Sequence, residues 1–493
     1  MNNDDISSLF FLNAAKFAKK TSIVELGNSL SYEQFSFKVR QIAYKIFVHA
    51  RSNHPRVLIL IDKGSDAYAS MFATLAVGGF YCPVNISIPE IRLQSIIEKF
   101  DPEIILYKKI SLIINLKIRK NIKFLDISNL TTDQFEKKTK QHKLAYVIFT
   151  SGTTGEPKGV MIKRISLFNY VMWAKKFMKI SHTDRWSQHP NVGFDLSVLD
   201  IYCSLCSGST LYPLINEKDF LFPARFINKN KLTVWNSVPS VIDIMSNDCK
   251  WKKSFIDTLR LFTFCGEPLY QTHLEKIFRI HPNVKIQNTY GPTEATVSCT
   301  AIKLTKKNYL RKIDKSVSLG LPIKNMNLII NEKKQGGVAV GEILLSGIQL
   351  SPGYWRNNNL TKKFFKKKII NKKKIRIYKT GDLGKVKKGL LYFTGRADNQ
   401  LKIKGYRVEL ENIDATIGKI NMSSACTVYN KKQLHCFLEN GKYTNSNYIK
   451  KKLSIYLADY EIPKYFYFKK RLPRNHNNKI DRKALFNCLE TIK

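Results

Sequence analysis

The sequence predicts an α/β protein: a large N-terminal domain of layered α/β subdomains with a small β-rich subdomain, followed by a small α+β C-terminal domain. Three observations carry that expectation. The 493 residues exceed what one hydrophobic core organises, so two or three domains are expected. Short β-branched runs alternate with segments of helical period over the first three hundred residues, as in layered folds with largely parallel sheets. The texture then changes near residue 317 and again near 398, which sets the expected domains at 1–397 and 398–493, with the β-rich part at about 317–397.

In chain order, "RVLILID", "EIILY", "AYVIFT" and "KLTVWNSV" read as buried strands, whereas "DAYASMFATLAVGG" and "LYQTHLEKIFRI" carry the apolar spacing of helices. "NLIINEKKQGGVAVGEILLSG" reads as a hairpin, its Gly336–Gly337 pair punctuating two alternating runs. "ACTVYN" and "LHCFLE" supply strands of the last domain, with a helix expected near 447–457.

Hydrophobic residues make up 44% and charged residues 24%, ordinary globular usage. The formal net charge is +44, a field that attracts nucleic acid, anionic membrane or an acidic protein without choosing among them. Abundant lysine, asparagine and isoleucine, the residues of AT-rich codons, account for part of it. Residues 361–376 hold nine lysines or arginines, read either as a solvated loop or as a docking surface for an acidic partner. A nucleic-acid-binding protein is the remote alternative, but no RRM or zinc-finger signature supports it, and nucleic acid is not expected as a partner. The nine cysteines (Cys82, Cys203, Cys206, Cys249, Cys265, Cys299, Cys426, Cys436 and Cys488) are scattered in apolar surroundings, which is reduced, cytoplasmic usage. The N-terminus lacks a secretory pattern, and no uncharged run reaches the roughly 18 apolar residues of a membrane helix, so no membrane insertion is expected.

The stretch "YVIFTSGTTGEPKGVMI" looks built for phosphate. It is no Walker loop, because Pro157 and Gly159 stand where that loop needs glycine and a hydroxyl. Gly152, Gly155 and Gly159 nevertheless allow close backbone approach to an anion, Thr150, Ser151, Thr153 and Thr154 add hydroxyls, and Lys158 adds charge.

Six further motifs follow: "GGFYCPVNISIPEIRL", "NTYGPTEATV", "GEILLSGIQLSPGYW", "YKTGDLG", "GRADNQLKIKGYRVEL" and "LPRNHNNKIDRKAL". With the glycine-rich loop they resemble, in order and over nearly the whole chain, the adenylate-forming enzymes: acyl-CoA synthetases, luciferases and the adenylation domains of nonribosomal peptide synthetases. The resemblance implies ATP and Mg²⁺ as cofactors and a mobile C-terminal lid. It assigns ATP contacts to the loop and to Asn288, Tyr290 and Gly291, with Tyr290 on adenine, Thr293 on the α-phosphate and Glu294 on the metal. Asp382 is suited to the ribose diol, since a carboxylate offers two acceptor oxygens, and Arg396 lies on the same face of the nucleotide. Lys479 matches the family's catalytic lysine, with Asn478 replacing the preceding glycine. Asp398 matches the hinge, and the Gly405–Tyr406–Arg407 region is expected to replace Lys479 in the second half-reaction.

Within "VGFDLSVLDIY", Asp195 matches the aspartate that pairs with a substrate ammonium in amino-acid-activating members. A carboxylate in so apolar a run needs a cation to complete it. The runs "FDLSVLDIY", "VWNSVPSVIDI" and "FTFCGEPL" resemble the D-alanine–D-alanyl carrier protein ligases, a branch in which Cys265 and Val297 match pocket walls. D-alanine is therefore the favoured substrate, with L-alanine, glycine and serine as alternatives, because small pockets discriminate by only about 1–3 kcal/mol per methylene. The expected acceptor is the phosphopantetheine thiol of a separate, acidic carrier protein, with coenzyme A as the competing thiol.

Overall fold

The computed structural model describes residues 5–108, 116, 121–136, 139–152, 156–335, 338–370, 372–403, 405–475 and 479–491. Thr153, Thr154, Gly155, Gly336, Gly337 and Asn478, all singled out above, lie outside them.

Fifteen strands build two large sheets: β1 (Thr21–Glu25), β2 (Asn28–Ser31), β3 (Arg56–Leu60), β4 (Phe80–Pro83), β5 (Ile104–Tyr107), β6 (Lys123–Asp126), β7 (Leu144–Thr150), β8 (Lys158–Lys163), β9 (Arg185–Gln188), β10 (Thr210–Pro213), β11 (Val234–Ser237), β12 (Leu261–Phe264), β13 (Lys285–Tyr290), β14 (Thr300–Leu304) and β15 (Leu321–Pro322). The six-stranded sheet runs β6-β5-β3-β4-β7-β8, and its β3–β4, β3–β5, β4–β7 and β5–β6 pairs are parallel. The nine-stranded sheet runs β15-β14-β13-β12-β11-β9-β10-β1-β2, parallel from β13 to β1 and closed at either end by antiparallel strands. The runs read as continuous apolar strands are the parallel ones. A sheet covered by helices on both faces buries every position, so no alternation survives.

Then come β16 (Met326–Gln335), β17 (Val338–Gly347), β18 (Phe365–Ile370), β19 (Lys373–Lys387) and β20 (Leu390–Arg396). They form an antiparallel sheet ordered β16-β17-β19-β18, with β20 also on β19. The lysine run of residues 361–376 becomes the edge strand β18 and its flanks. Lys362, Lys363, Lys366, Lys367, Lys372, Lys373 and Lys374 are exposed there, as charges that keep an open sheet edge from pairing with another chain.

The C-terminal part holds a ribbon of β21 (Gln400–Ile403) and β22 (Tyr406–Glu409) and a sheet ordered β23 (Ala425–Asn430), β24 (Gln433–Glu439), β25 (Tyr465–Lys469). Helices Leu410–Asn421, Ser446–Leu453 and Arg482–Thr491 accompany them. The helix expected near 447–457 stops at Leu453, because the chain turns from Ser454 so that both Leu453 and Leu457 are buried.

The chain divides into two compact units. The larger comprises residues 1–86, 100–148 and 159–397, and the smaller 87–99, 149–158 and 398–493. Among the described residues no helix is long and apolar enough to cross a membrane. All nine cysteines are free, and burial pushes the thiols of Cys203 and Cys206 up, so that C-x-x-C pair is inert packing.

Candidate active site

In the larger unit the site grows from the end of β13. Asn288 is buried and its Nδ2 donates to the Ser318 carbonyl at 2.9 Å, tying the strand to the segment that crosses it. Tyr290 is the last strand residue. Its hydroxyl donates to Asp382 Oδ2 at 2.6 Å, and Arg396 Nη1 donates to Asp382 Oδ1, so residues 92 and 14 positions from Asp382 meet on one carboxylate. Register delivers both acidic and basic partners: β19 and β20 place Asp382 directly opposite Arg396. Burial, and then the Asp382 charge, pushes the Tyr290 phenol well up, so it stays a donor at any working pH.

After Tyr290 the chain must turn in a space with no room for a side chain. A Cβ on Gly291 would lie 2.6 Å from the Val297 carbonyl and 2.7 Å from Ser298 Cα. Pro292 ends the strand, Thr293–Ala295 forms one 3₁₀ turn, and Cys299 N–H donates back to the Tyr290 carbonyl at 2.7 Å to close the loop. Thr296 and Val297 follow in left-handed backbone, φ 60° and 66°, with Ser298 N–H donating to the Thr296 carbonyl at 2.8 Å across Val297. β-Branched residues avoid that region, at a cost on the order of 1–3 kcal/mol each. The loop carries Thr293 and the fully buried Glu294, whose Oε1 accepts from the Tyr354 hydroxyl at 2.8 Å. The Glu294 main-chain carbonyl accepts from Ser351 N–H at 2.9 Å.

The same loop meets β12. Cys265 Sγ lies 4.0 Å from the Val297 carbonyl and 3.6 Å from Ser298 Oγ, so the two expected pocket walls are neighbours. Both are buried. Asp195 sits half-buried just before the helix Ser197–Leu205 and connects to them through Tyr170. That phenol, on the helix Arg164–Met178, is pushed well up by burial and then by Cys203 and Cys265; the Ser298 hydroxyl opposes the rise, and the Asp195 charge adds to it. A half-buried carboxylate and a buried thiol acting on the same phenol suit, in type, an ammonium group with a short side chain.

In the smaller unit, Thr150 ends β7 and Ser151 is buried, its hydroxyl donating to the Arg407 carbonyl at 2.6 Å. A Cβ on Gly152 would meet the Glu156 carbonyl at 2.3 Å, so the backbone at those two residues approaches too closely for a side chain. Lys158 is a buried cation at the start of β8. Tyr406 stacks on Tyr460 with ring centroids 3.8 Å apart, and Asp398 Oδ1 accepts from Gln400 N–H at 3.2 Å. Lys479 is exposed on a turn held by Asn475, whose Oδ1 accepts from Lys479 N–H at 3.1 Å and whose N–H donates to the Lys479 carbonyl at 2.8 Å.

The structure thus joins Tyr290, Asp382 and Arg396 by direct bonds, and Glu294, Val297 and Cys265 through one loop. Ser151, Lys158, Asp398 and Lys479 belong to the other unit. Sequence reading missed Tyr354, Tyr170 and Gln349. Tyr354 and Gln349 both stood inside the quoted motif "GEILLSGIQLSPGYW" without a role, and Tyr170 carries no local signal.

The Bacillus cereus (strain B4264) protein described as D-alanine–D-alanyl carrier protein ligase is 30% identical, over 96% of this chain and 97% of its own. The Listeria monocytogenes serotype 4b (strain F2365) ligase of the same description is 31% identical over 93% and 94%. The crystal structure of the Vibrio cholerae adenylation domain AlmE in complex with glycyl-adenosine-5'-phosphate superimposes with a TM-score of 0.87 at 24% identity, covering 100% of this chain and 98% of that one. The family model for AMP-binding enzymes matches residues 10–355, which hold the strained loop, Cys265, Val297 and the glycine-rich segment; the chain belongs to the AMP-binding enzyme family.

Proposed function

We propose that this protein activates D-alanine with ATP and passes the aminoacyl group to the phosphopantetheine thiol of a separate carrier protein. In the first step a carboxylate oxygen of the amino acid attacks the α-phosphorus, giving aminoacyl-AMP and releasing pyrophosphate. In the second the thiol sulfur attacks the acyl carbon, its proton is lost, and AMP departs. The observation that carries this reading is the shared loop: Glu294 and Val297 are three residues apart, one suited to phosphate chemistry and one to a small side chain against Cys265. Two relatives of matching length described as D-alanine–D-alanyl carrier protein ligases support the choice of substrate and acceptor.

Each residue's part follows from charge. Asp382, held by Tyr290 and Arg396, accepts the ribose hydroxyls, with Tyr290 against adenine and Asn288 and Gly291 shaping the nucleotide's seat. Thr293 meets the α-phosphate. Thr150, Ser151, Gly152, Thr153, Thr154, Gly155 and Lys158 hold the departing phosphates, and Lys479 neutralises the approach of one anion to another. Asp195 pairs with the substrate ammonium. Asp398 is the hinge between half-reactions.

Glu294 fits Mg²⁺: it is a buried carboxylate oriented by Tyr354. Among the described residues no cluster of three His, Cys, Asp or Glu side chains could hold a metal. That suits an ion bound through one carboxylate and the substrate's own phosphates. When bound, the ion screens phosphate charge. The nine free thiols support a cytoplasmic enzyme, and the exposed lysines about β18 support an acidic carrier.

The test is amino-acid-dependent exchange of labelled pyrophosphate into ATP with D-alanine, L-alanine, glycine and serine. D-alanine is expected to give the highest kcat/KM. Preference for another member moves the substrate to it, and exchange with none overturns the reading. Thiol transfer from the adenylate to a phosphopantetheinylated carrier, compared with coenzyme A, then decides the acceptor.

A further inference from the structure

The strained loop is held by a residue outside every assignment above. Gln349 is fully buried, and its Nε2 faces three main-chain carbonyls: Ser298 at 3.0 Å, Ala295 at 3.2 Å and Thr296 at 3.3 Å. Its own carbonyl accepts from the Thr296 hydroxyl at 2.7 Å. Residues 295–298 are themselves buried, so these carbonyls need a donor from within the protein. Ser298 N–H already serves the Thr296 carbonyl, while the amide's NH₂ edge serves those of Ala295 and Ser298, and that fixes which way the side chain faces. Its Oε1 then accepts from Asn169 Nδ2 at 2.9 Å, and Asn169 Oδ1 in turn accepts from Asn325 Nδ2 at 2.7 Å. A chain of three amides therefore runs from the exposed Asn325 to the loop.

The loop explains why such a clamp is needed. Left-handed backbone at Thr296 and Val297 is the conformation in which Glu294 meets Tyr354 and the Val297 carbonyl lies beside Cys265. Glycine at 297 would remove the strain, but also the wall. A β-branched residue kept there must be held by its surroundings.

We propose that Gln349 is a positioning residue: its amide locks the Thr296–Val297 turn, setting Glu294 for the nucleotide and Val297 for the amino-acid side chain, while Asn169 fixes the amide's direction. This rests on the small-amino-acid ligase reading for its catalytic consequences, but not for the clamp itself.

Three variants test it. Gln349→Leu keeps the approximate size and removes the donor. Gln349→Glu turns oxygen toward the three carbonyls. Asn169→Asp leaves Gln349 in place and loses the donor to its Oε1, along with a longer 3.4 Å bond to the Lys324 carbonyl; at a half-buried helical position it preserves folding even where the other two do not. Hydrogen exchange at the amides of residues 293–299, without substrates, is expected to quicken about tenfold or more in each folded variant, with Tm within about 4 °C of wild type for Asn169→Asp. In pyrophosphate exchange, kcat falls about tenfold, and the preference for the accepted amino acid over its β-branched homologue falls several-fold, because the wall has shifted. Unchanged 293–299 exchange in folded Asn169→Asp and Gln349→Leu overturns the clamp. So does a loss of activity that only tracks the folded fraction, with selectivity intact. If the wild-type protein exchanges pyrophosphate with no amino acid, the functional reading fails while the hydrogen-exchange result still decides the clamp.

Discussion

A carboxylate proposed to hold a ribose diol must keep two oxygens charged, aimed and partly satisfied before any nucleotide arrives. Asp382 meets that demand with Tyr290 on one oxygen and Arg396 on the other. Tyr290→Phe keeps the ring and removes the hydroxyl. A hydrogen bond to a charged group is worth about 1.5 kcal/mol or more, so KM for ATP is expected to rise roughly tenfold with little change in kcat. An unchanged KM would mean that Arg396 alone orients the carboxylate. Gly291 sits beside this cluster, and Gly291→Ala has nowhere to put a methyl, since its Cβ would press on main-chain atoms at 2.6 and 2.7 Å. That variant is expected to lose both nucleotide affinity and stability, read as weaker ATP binding in titration calorimetry and a lower Tm. Tyr290, Asp382 and Arg396 were legible one by one from the order of motifs. Their junction was not, since it depends on β19–β20 register and on a contact across 92 residues. Gln349 and Tyr170 were illegible for another reason: a glutamine or a tyrosine gains meaning only from what surrounds it, and the carbonyls Gln349 serves lie more than fifty positions away.

At the level of elements, strands with unbroken apolar runs were legible because parallel sheets bury both faces: β3, β5 and β11 fall within the runs read for them, and β7 starts one residue earlier. Boundaries set by turns were not, as the early end of the helix at Leu453 shows. Nor was the environment of His189, which follows β9 and lies between the rings of Phe220 and Trp235 at 5.3 and 5.7 Å. Burial, and then the nearby Lys63 ammonium, lowers its pKa to about 3. The sign of the consequence follows from proton counting. The folded state keeps this imidazole neutral until about pH 3. The unfolded chain takes up a proton near pH 6.5, so folding stability falls as pH drops through that window. The loss amounts to about 2 kcal/mol by pH 5 and grows toward pH 3. His189→Phe keeps an aromatic ring between the other two and removes the titration. Urea unfolding at pH 7 and pH 5 is therefore expected to show a smaller pH difference in the variant than in wild type. Equal differences would place the acid sensitivity elsewhere.

For the molecule as a whole, two chemical steps with different needs share one chain. The first joins two anions and calls for a cation; the second admits a thiol to a carbonyl and calls for that cation to give way. In the mechanism proposed above these needs fall to separate segments of the smaller unit. Lys479 sits on the Asn475-held turn before the last helix, while Arg407, on β22, accepts the Ser151 hydroxyl through its main-chain carbonyl. The segments 87–99 and 149–158 group with residues 398–493: Arg92 fastens the first through the buried Glu461 at 3.0 Å, and Ser151 fastens the second to β22. Lys479→Ala removes an exposed ammonium on a main-chain-held turn, so folding is expected to be unaffected. If Lys479 serves only the first step, amino-acid-dependent pyrophosphate exchange falls by about a hundredfold or more, the cost of losing a charge that acts in the transition state. Transfer from chemically prepared aminoacyl-AMP to the carrier thiol then stays within about twofold of wild type, because that step no longer has two anions to reconcile. Equal loss in both assays would assign Lys479 to binding the adenylate common to them, and intact exchange would remove it from the chemistry altogether.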